Sequence, residues 1–237
     1  MSTVIFSTTP YGDDEQEALA QMEDKRKAAI ACRDAIEAVF GNSKKLSIDQ
    51  LTPIMKRHGY QRTAWVLANT LYEHQKTESI GRANLRWARQ LCHPFPDDDR
   101  RDFLVRLPAT TLNRLASLYK QAYRSLPLFD SSQCLPKKIG YQGKVVVLKP
   151  DVMQFLCADP KDQLWYAIDG EGCKANQEDA DLLCASLADG STSLWTRRCF
   201  AGVLKDELLP AWAKPKLAEL QAQEQTDAPT TGGMNMI

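Results

Sequence analysis

Arg82, Arg86 and Arg89 recur at i, i+4 and i+7, the interval that sets side chains on one stripe of an α-helix. Three guanidinium groups in a row make a cationic edge suited to phosphate oxygens or to a partner's carboxylates, since each offers a planar fork of donors with a permanent charge. A solvated face opposite Trp87, its charges paired with nearby acids, accounts for the same spacing and is the more economical reading. Nucleic-acid-binding domains carry a basic excess, whereas this chain has 30 basic and 30 acidic residues. Lys56, Arg57 and Arg62 extend the patch only if the second, third and fourth helices lie side by side.

Nucleophilic chemistry has little to work with. Cys92-His93 is the one adjacent thiol and imidazole, but sequence neighbours rarely point at each other, and a cysteine nucleophile needs its base within hydrogen-bond reach. All three histidines, His58, His74 and His93, fall in the first half of the chain. Cys157, Cys173, Cys184 and Cys199 are numerous enough for a four-thiolate zinc site, yet structural zinc takes its ligands in closely spaced pairs, and these stand singly. Buried, inert thiols are the expectation, with no metal and no cofactor. Gly170-Glu171-Gly172 opens no phosphate-binding helix and reads as a turn between strands.

Other polar and aromatic residues read as structural. Asn69 and Asn84 sit in helical stretches where asparagine is a weak former, so each is expected as a buried amide bridging helices. Of the five tryptophans, Trp65, Trp87, Trp165, Trp195 and Trp212, an exposed Trp195 on a hairpin is the candidate partner anchor.

The elements that must hold these residues follow from periodicity. Residues 1–12 read as a leader. A helix runs from Asp13 to the Gly41-Asn42 stop, with Ala29, Cys32, Ile36 and Val39 at helical spacing. Thr52-Pro53 reads as an N-cap and first-turn proline of a second helix closed by Gly59. The alternative, a capping box at Ser47-Ile48-Asp49-Gln50, places Pro53 inside the helix and is set aside. A third helix covers 61–74. A fourth runs from about Ile80 to Leu91 with Ile80, Ala83, Trp87 and Leu91 as its inner side. A short helix is expected over Asp97–Arg106, and a longer one over Pro108–Ser125.

Beyond a linker at 130–138 the pattern turns to strands: Lys144–Leu148, Leu164–Ile168, Leu182–Ala188, Ser191–Arg197 and Phe200–Leu204, with Asp189-Gly190 as a hairpin turn. A final helix covers Pro210–Glu219, and 221–237 reads as a disordered tail. The expected class is α+β: a helical bundle over 13–129, then a small, strongly bent sheet or partial barrel over 139–220. The composition is globular. No apolar run has the length of a membrane span, and the first residues lack the basic flank of a secretory signal. Seven scattered cysteines without a CxxC pattern fit reduced thiols and a cytoplasmic setting.

Two groups of motifs carry a resemblance. The first is Ala28–Glu37 (AAIACRDAIE), Arg62–Thr70 (RTAWVLANT) and Arg82–Arg89 (RANLRWAR). The second is Gly143–Leu148, Gln163-Leu164-Trp165, Glu171-Gly172-Cys173, Gly202–Leu209 (GVLKDELL) and Pro210-Ala211-Trp212-Ala213. Together, from about Glu15 to Leu217, they resemble an uncharacterised domain family of plasmids and integrative conjugative elements of anaerobic gut bacteria. The resemblance implies a mobile-element accessory protein and assigns no catalytic residue. Between the third and fourth helices this chain has EHQKTESIGR, where members of that family tend to carry a more acidic, Gly-containing loop.

The function expected from these observations is non-enzymatic. The leading version is binding of a macromolecular partner, for example as an anti-defence inhibitor of a host nuclease such as a CRISPR effector or restriction enzyme. The alternative is a nucleic-acid-binding module in element transfer or replication that uses the Arg82/Arg86/Arg89 face. An enzyme built on Cys92 stands third. Oligomeric state is not written in the sequence.

Overall fold

A computed structural model describes residues 15–43, 45–92, 101–136 and 138–227. The expected leader at 1–12 lies outside them, as does the His93–Arg100 segment. Among the described residues the chain is a mixture of α-helices and one antiparallel five-stranded sheet. It divides into two compact units. One is helical and ends at Leu126, with residues 154–159 returning to it; the other comprises Pro127–Met153 and the chain from Pro160 onward.

The helical unit holds α1 (Glu15–Phe40), α2 (Ile48–His58), α3 (Tyr60–His74), α4 (Arg82–Leu91) and α5 (Ala109–Arg124). Helix α3 touches each of the other four, and every side chain from Thr63 to Leu71 is buried. A helix buried all round must satisfy its polar residues locally. Thr63, Asn69 and Thr70 donate to the carbonyls of Gly59, Trp65 and Val66, each at 2.8 Å. Asn69 therefore bonds within its own helix and bridges nothing.

Several sequence expectations change here. Helix α2 starts at Ile48, with Ser47 as N-cap and the Gln50 side chain accepting from the Ser47 N–H at 3.2 Å, so Pro53 lies inside the helix. The earlier start wins because it buries Leu51 with Ile54 and Met55, and burying one leucine is worth roughly 1.5–3 kcal/mol. Phe40, not Val39, closes the inner face of α1; Val39 is exposed. The inner side of α4 is Asn84 and Ala88, while Ala83 is exposed and Ile80 precedes the helix. Residues 101–108 form turns rather than the end of a short helix. They pack Phe103 against Trp65, ring centroids 4.5 Å apart.

The sheet unit has β1 (Val145–Leu148), β2 (Leu164–Asp169), β3 (Asp181–Ser186), β4 (Thr192–Thr196) and β5 (Phe200–Val203) in the order β4-β3-β2-β1-β5. The sheet is not closed. Bulges fall between Val147 and Leu148 and between Ala167 and Asp169. Helix α6 (Pro150–Leu156), unannounced by the sequence pattern, follows β1; α7 (Lys214–Asp227) ends the described chain. Alternation divides the strands between two faces. Val147, Leu164, Tyr166, Ala201 and Leu204 join Ala213, Leu217 and Leu220 in one core. On the other face Trp165, Trp195, Phe200 and Tyr141 stack edge to face. Helix α7 continues through residues 221–227, which the sequence places in a disordered tail. Its Glu224 accepts a hydrogen bond from the Tyr166 hydroxyl.

Candidate functional site

The arginine row is set by what lies behind it. Asn84 donates from Nδ2 to Asn113 O at 2.9 Å and Oδ1 at 3.0 Å, and its Oδ1 accepts from Lys120 Nζ at 2.6 Å. The Gly81 N–H also donates to Asn113 Oδ1, at 2.8 Å. This amide pair ties α4 to α5, the bridging role expected of Asn84. Trp87 stacks on Tyr119 at 5.6 Å and lies under Lys120 Nζ at 5.8 Å. At about 100° per residue, Arg82, Arg86 and Arg89 then fall on the side of α4 away from Asn84 and Ala88, and all three are exposed.

Their partners decide what the row can do. Arg89 donates to Gln75 Oε1 at 3.2 Å, a neutral acceptor that leaves its charge uncompensated. Neither Arg82 nor Arg86 has a carboxylate partner among the described residues. Other cations of this unit do: Arg26 meets Glu23 and Asp102, Lys76 and Arg101 both meet Glu73, and Arg33 meets Asp34. The pairing with nearby acids that would make the row a merely solvated face is thus absent among the described residues.

A second cationic feature forms where α2 turns into α3. Gly59 has φ of +88°, a conformation glycine adopts without strain, and it lets α3 start one residue after α2 ends. Lys56 and Arg57 of the last α2 turn, His58, and Arg62 of the first α3 turn line a cleft of about 400 Å³ with Lys25 and Asp159. The three basic residues foreseen as an extension of the α4 row therefore line a separate cleft, whose walls include none of Arg82, Arg86 and Arg89. Asp159 accepts the Tyr60 N–H at 2.7 Å, capping α3 from a residue 99 positions away.

The thiols are poorly placed for chemistry. All seven cysteines are free. Burial pushes Cys92 up to about 12, and Cys32 and Cys157 up to about 11. Burial also raises Cys173, Cys184 and Cys199. A nucleophilic cysteine requires the opposite shift. Alkylation of Cys92 by iodoacetamide at pH 8 should run on the order of a thousandfold slower in the folded chain than in urea, from its thiolate fraction alone. Peptide mapping of modified Cys92 checks this, and equal rates would restore a nucleophilic reading. His93, its sequence neighbour, lies outside the described residues. Among the described residues no three of His, Cys, Asp and Glu are placed to hold a metal ion.

In the sheet unit Trp195 is half-buried between Trp165 (5.4 Å) and Phe200 (6.3 Å), and its indole Nε1 is buried. The exposed large apolar side chain of that strand is its neighbour Leu194, 62% exposed, which faces the partly exposed Leu183 across the β3–β4 ladder. A cleft of about 550 Å³ near Gly140, Lys144, Asp169 and Lys174 has no concentration of one charge. A residue the sequence did not single out, Arg197, is fully buried and bonded to backbone carbonyls, that of the lining residue Lys174 among them. Its neighbour Arg198 is exposed beside Asp179, so nothing in the Arg-Arg pair distinguishes the two.

Among the described residues no helix is long and apolar enough to cross a membrane. No curated protein and no solved structure matches the chain. Residues 5–124, just over half of the chain and including α1 to α5, match a family pattern, while the second group of motifs lies beyond it. The chain therefore belongs to the family described as protein of unknown function DUF3849.

Proposed function

We propose that this protein is non-catalytic and holds nucleic acid against the arginine row of α4. The observation that carries the reading is the exposure of Arg82 and Arg86 without a carboxylate partner among the described residues. It stands beside the neutral chain charge, which confines any electrostatic attraction to a local face. From Ile48 to Leu91 there are seven Lys and Arg residues against three Asp and Glu, so the segment bearing the row is locally basic. In this reading the helices act as an N-terminal bundle that presents the row. The sheet, bent at its two bulges into a partial barrel, is an accessory module.

Fluorescence anisotropy with single- and double-stranded oligonucleotides between 50 and 200 mM salt tests it. Affinity should fall steeply with salt, and the triple change R82A/R86A/R89A should flatten the log–log slope by about 2–3. No binding at the lowest salt would remove the reading.

One observation favours a second reading, a protein partner. Leu194 and Leu183 form an exposed apolar pair beside the edge strand β4, and an edge with such a face invites strand addition. The mobile-element setting and the inhibition of a host nuclease belong to this reading. Leu194→Asp should abolish capture of a specific partner from a host lysate, and repeated captures that return nothing specific would count against it.

A further inference from the structure

We propose that the cleft at the α2–α3 corner is a binding site for a phosphate monoester, independent of the arginine row on α4. Four cations, Lys25, Lys56, Arg57 and Arg62, share it with one carboxylate, Asp159. The carboxylate is engaged at the α3 N-terminus by the Tyr60 N–H. The excess positive charge is built by the fold rather than scattered over a surface. It comes from α1, from the last turn of α2 and from the first turn of α3, brought together by the turn at Gly59.

Two side-chain nitrogens of residues that line this cleft lack a partner. His58 Nε2 and Arg62 Nε are both buried and make no hydrogen bond. Buried polar atoms are rarely left so, and an unfilled pair in a cationic cleft marks where acceptor oxygens belong. Arg62 is held in place, because its Nη1 donates to the His58 backbone carbonyl at 3.1 Å and so tethers the guanidinium to the end of α2. The His58 side chain titrates below the ordinary histidine range, first through burial and then through the nearby Arg57 and Arg62. The charged groups facing it are Lys25, Lys56, Arg57, Arg62 and Asp159. A bound dianion adds the negative charge this set lacks and gives the imidazolium an acceptor.

The ligand chemistry follows. A guanidinium fork, point-like ammonium groups and an imidazole N–H converge, which suits a tetrahedral group with several acceptor oxygens better than a flat carboxylate with two. A cleft of about 400 Å³ admits a phosphoryl group with a small substituent. The monoester could be a free metabolite or the 5′ end of an oligonucleotide, and both present the same dianion.

The test uses the full chain with carbon-13-labelled histidine. His58 is titrated by NMR from pH 5 to 9 in inorganic phosphate and in sodium chloride of matched ionic strength. Phosphate should raise the His58 midpoint by about one unit or more relative to chloride. Lys56 and Arg57 are exposed, so Lys56→Gln and Arg57→Gln can be made without disturbing the core. Each should weaken phosphate binding about fivefold or more by calorimetry, as expected for loss of a charge-assisted contact, while Arg114→Ala, at an exposed position of α5, leaves it unchanged. The dinucleotides pTpT and TpT separate the sources. Tighter binding of pTpT than of inorganic phosphate identifies a nucleic-acid end, and equal binding of the two identifies a free phosphate ester. Identical His58 midpoints in phosphate and chloride overturn the proposal. So would TpT binding as well as pTpT, acetate binding as well as phosphate, or Arg114→Ala weakening phosphate as much as Lys56→Gln.

Discussion

Replacing Arg197 with methionine is expected to cost the sheet unit about 3 kcal/mol or more, since it takes the donor from three carbonyls at once, the buried one of Gly172 among them. Arg197 is fully buried in the short turn between β4 and β5. Its Nη1 donates to the carbonyls of Gly172 at 2.8 Å and Lys174 at 2.9 Å, and its Nη2 to that of Ile139 at 2.8 Å. The guanidinium carbon lies 3.5 Å from the centroid of the Tyr141 ring, so a cation–π contact covers one face of the group. One side chain thereby joins the turn after β4 to the segment before β1 and to the loop between β2 and β3. Methionine fills much of the volume and supplies no donor. Lysine keeps the charge but has neither the planar fork nor the stacking surface, and should still cost about 2 kcal/mol. Urea unfolding followed by tryptophan fluorescence reads both changes, since Trp165 and Trp195 report this face of the sheet. Arg198→Ala, at an exposed neighbour, is the control and should stay within about 0.5 kcal/mol. A methionine variant within about 1 kcal/mol of the parent would show that the carbonyls find other partners.

Gly170→Ala should be comparably damaging, for a backbone reason. Gly170 has φ of +117°, and a Cβ there would lie 2.7 Å from the Asp181 carbonyl oxygen and 3.0 Å from Leu182 Cα. Both obstacles are main-chain atoms of β3, whose Leu182 is fully buried, so the loop cannot yield without shifting the strand. The strain alone is worth about 1–3 kcal/mol, and displacement of the strand adds to it, for an expected loss of about 3 kcal/mol or more. Gly140→Ala is the matched control. Its Cβ would meet only the Cys173 carbonyl oxygen, at 3.4 Å, and about 1 kcal/mol is the most it should cost. Equal stability of the two alanine variants, measured in the same urea titration, would refute the close-approach explanation.

Both results bear on how much of the site could be read in advance. The turn reading of Gly170-Glu171-Gly172 followed from the absence of a helix behind it, but the reason for glycine is the approach of β3. Arg197 left no trace in the sequence, where it is one of two adjacent arginines ending a strand. The spacing of Arg82, Arg86 and Arg89 did foretell one exposed stripe, because helical geometry is local. Whether acids neutralise that stripe depends on which carboxylates other helices bring near it. Lys56, Arg57 and Arg62 were visible as basic residues, yet their meeting with His58, Lys25 and Asp159 was not. Asp159 reaches the α3 N-terminus from across the chain.

The sequence by itself determined the change from helical to strand-forming chain near residue 130, the existence of a hairpin around Asp189-Gly190 and the stripe on α4, though residues 187–191 rather than two residues separate β3 from β4. Each depends on periodicity or turn chemistry within about a dozen residues, where steric and hydrogen-bond preferences of the backbone act directly. Tertiary structure alone decided where α2 begins, because a buried Leu51 outweighed the preference of Pro53 for a first turn. It decided that α7 continues past Leu220, because Leu217 and Leu220 have a sheet face to cover and Glu224 accepts from the Tyr166 hydroxyl. It also decided which cations are neutralised, which arginine is buried, and that a cationic cleft exists at the α2–α3 corner. Those outcomes depend on desolvation and on partners distant in sequence, and a linear pattern carries no record of which distant residue will arrive.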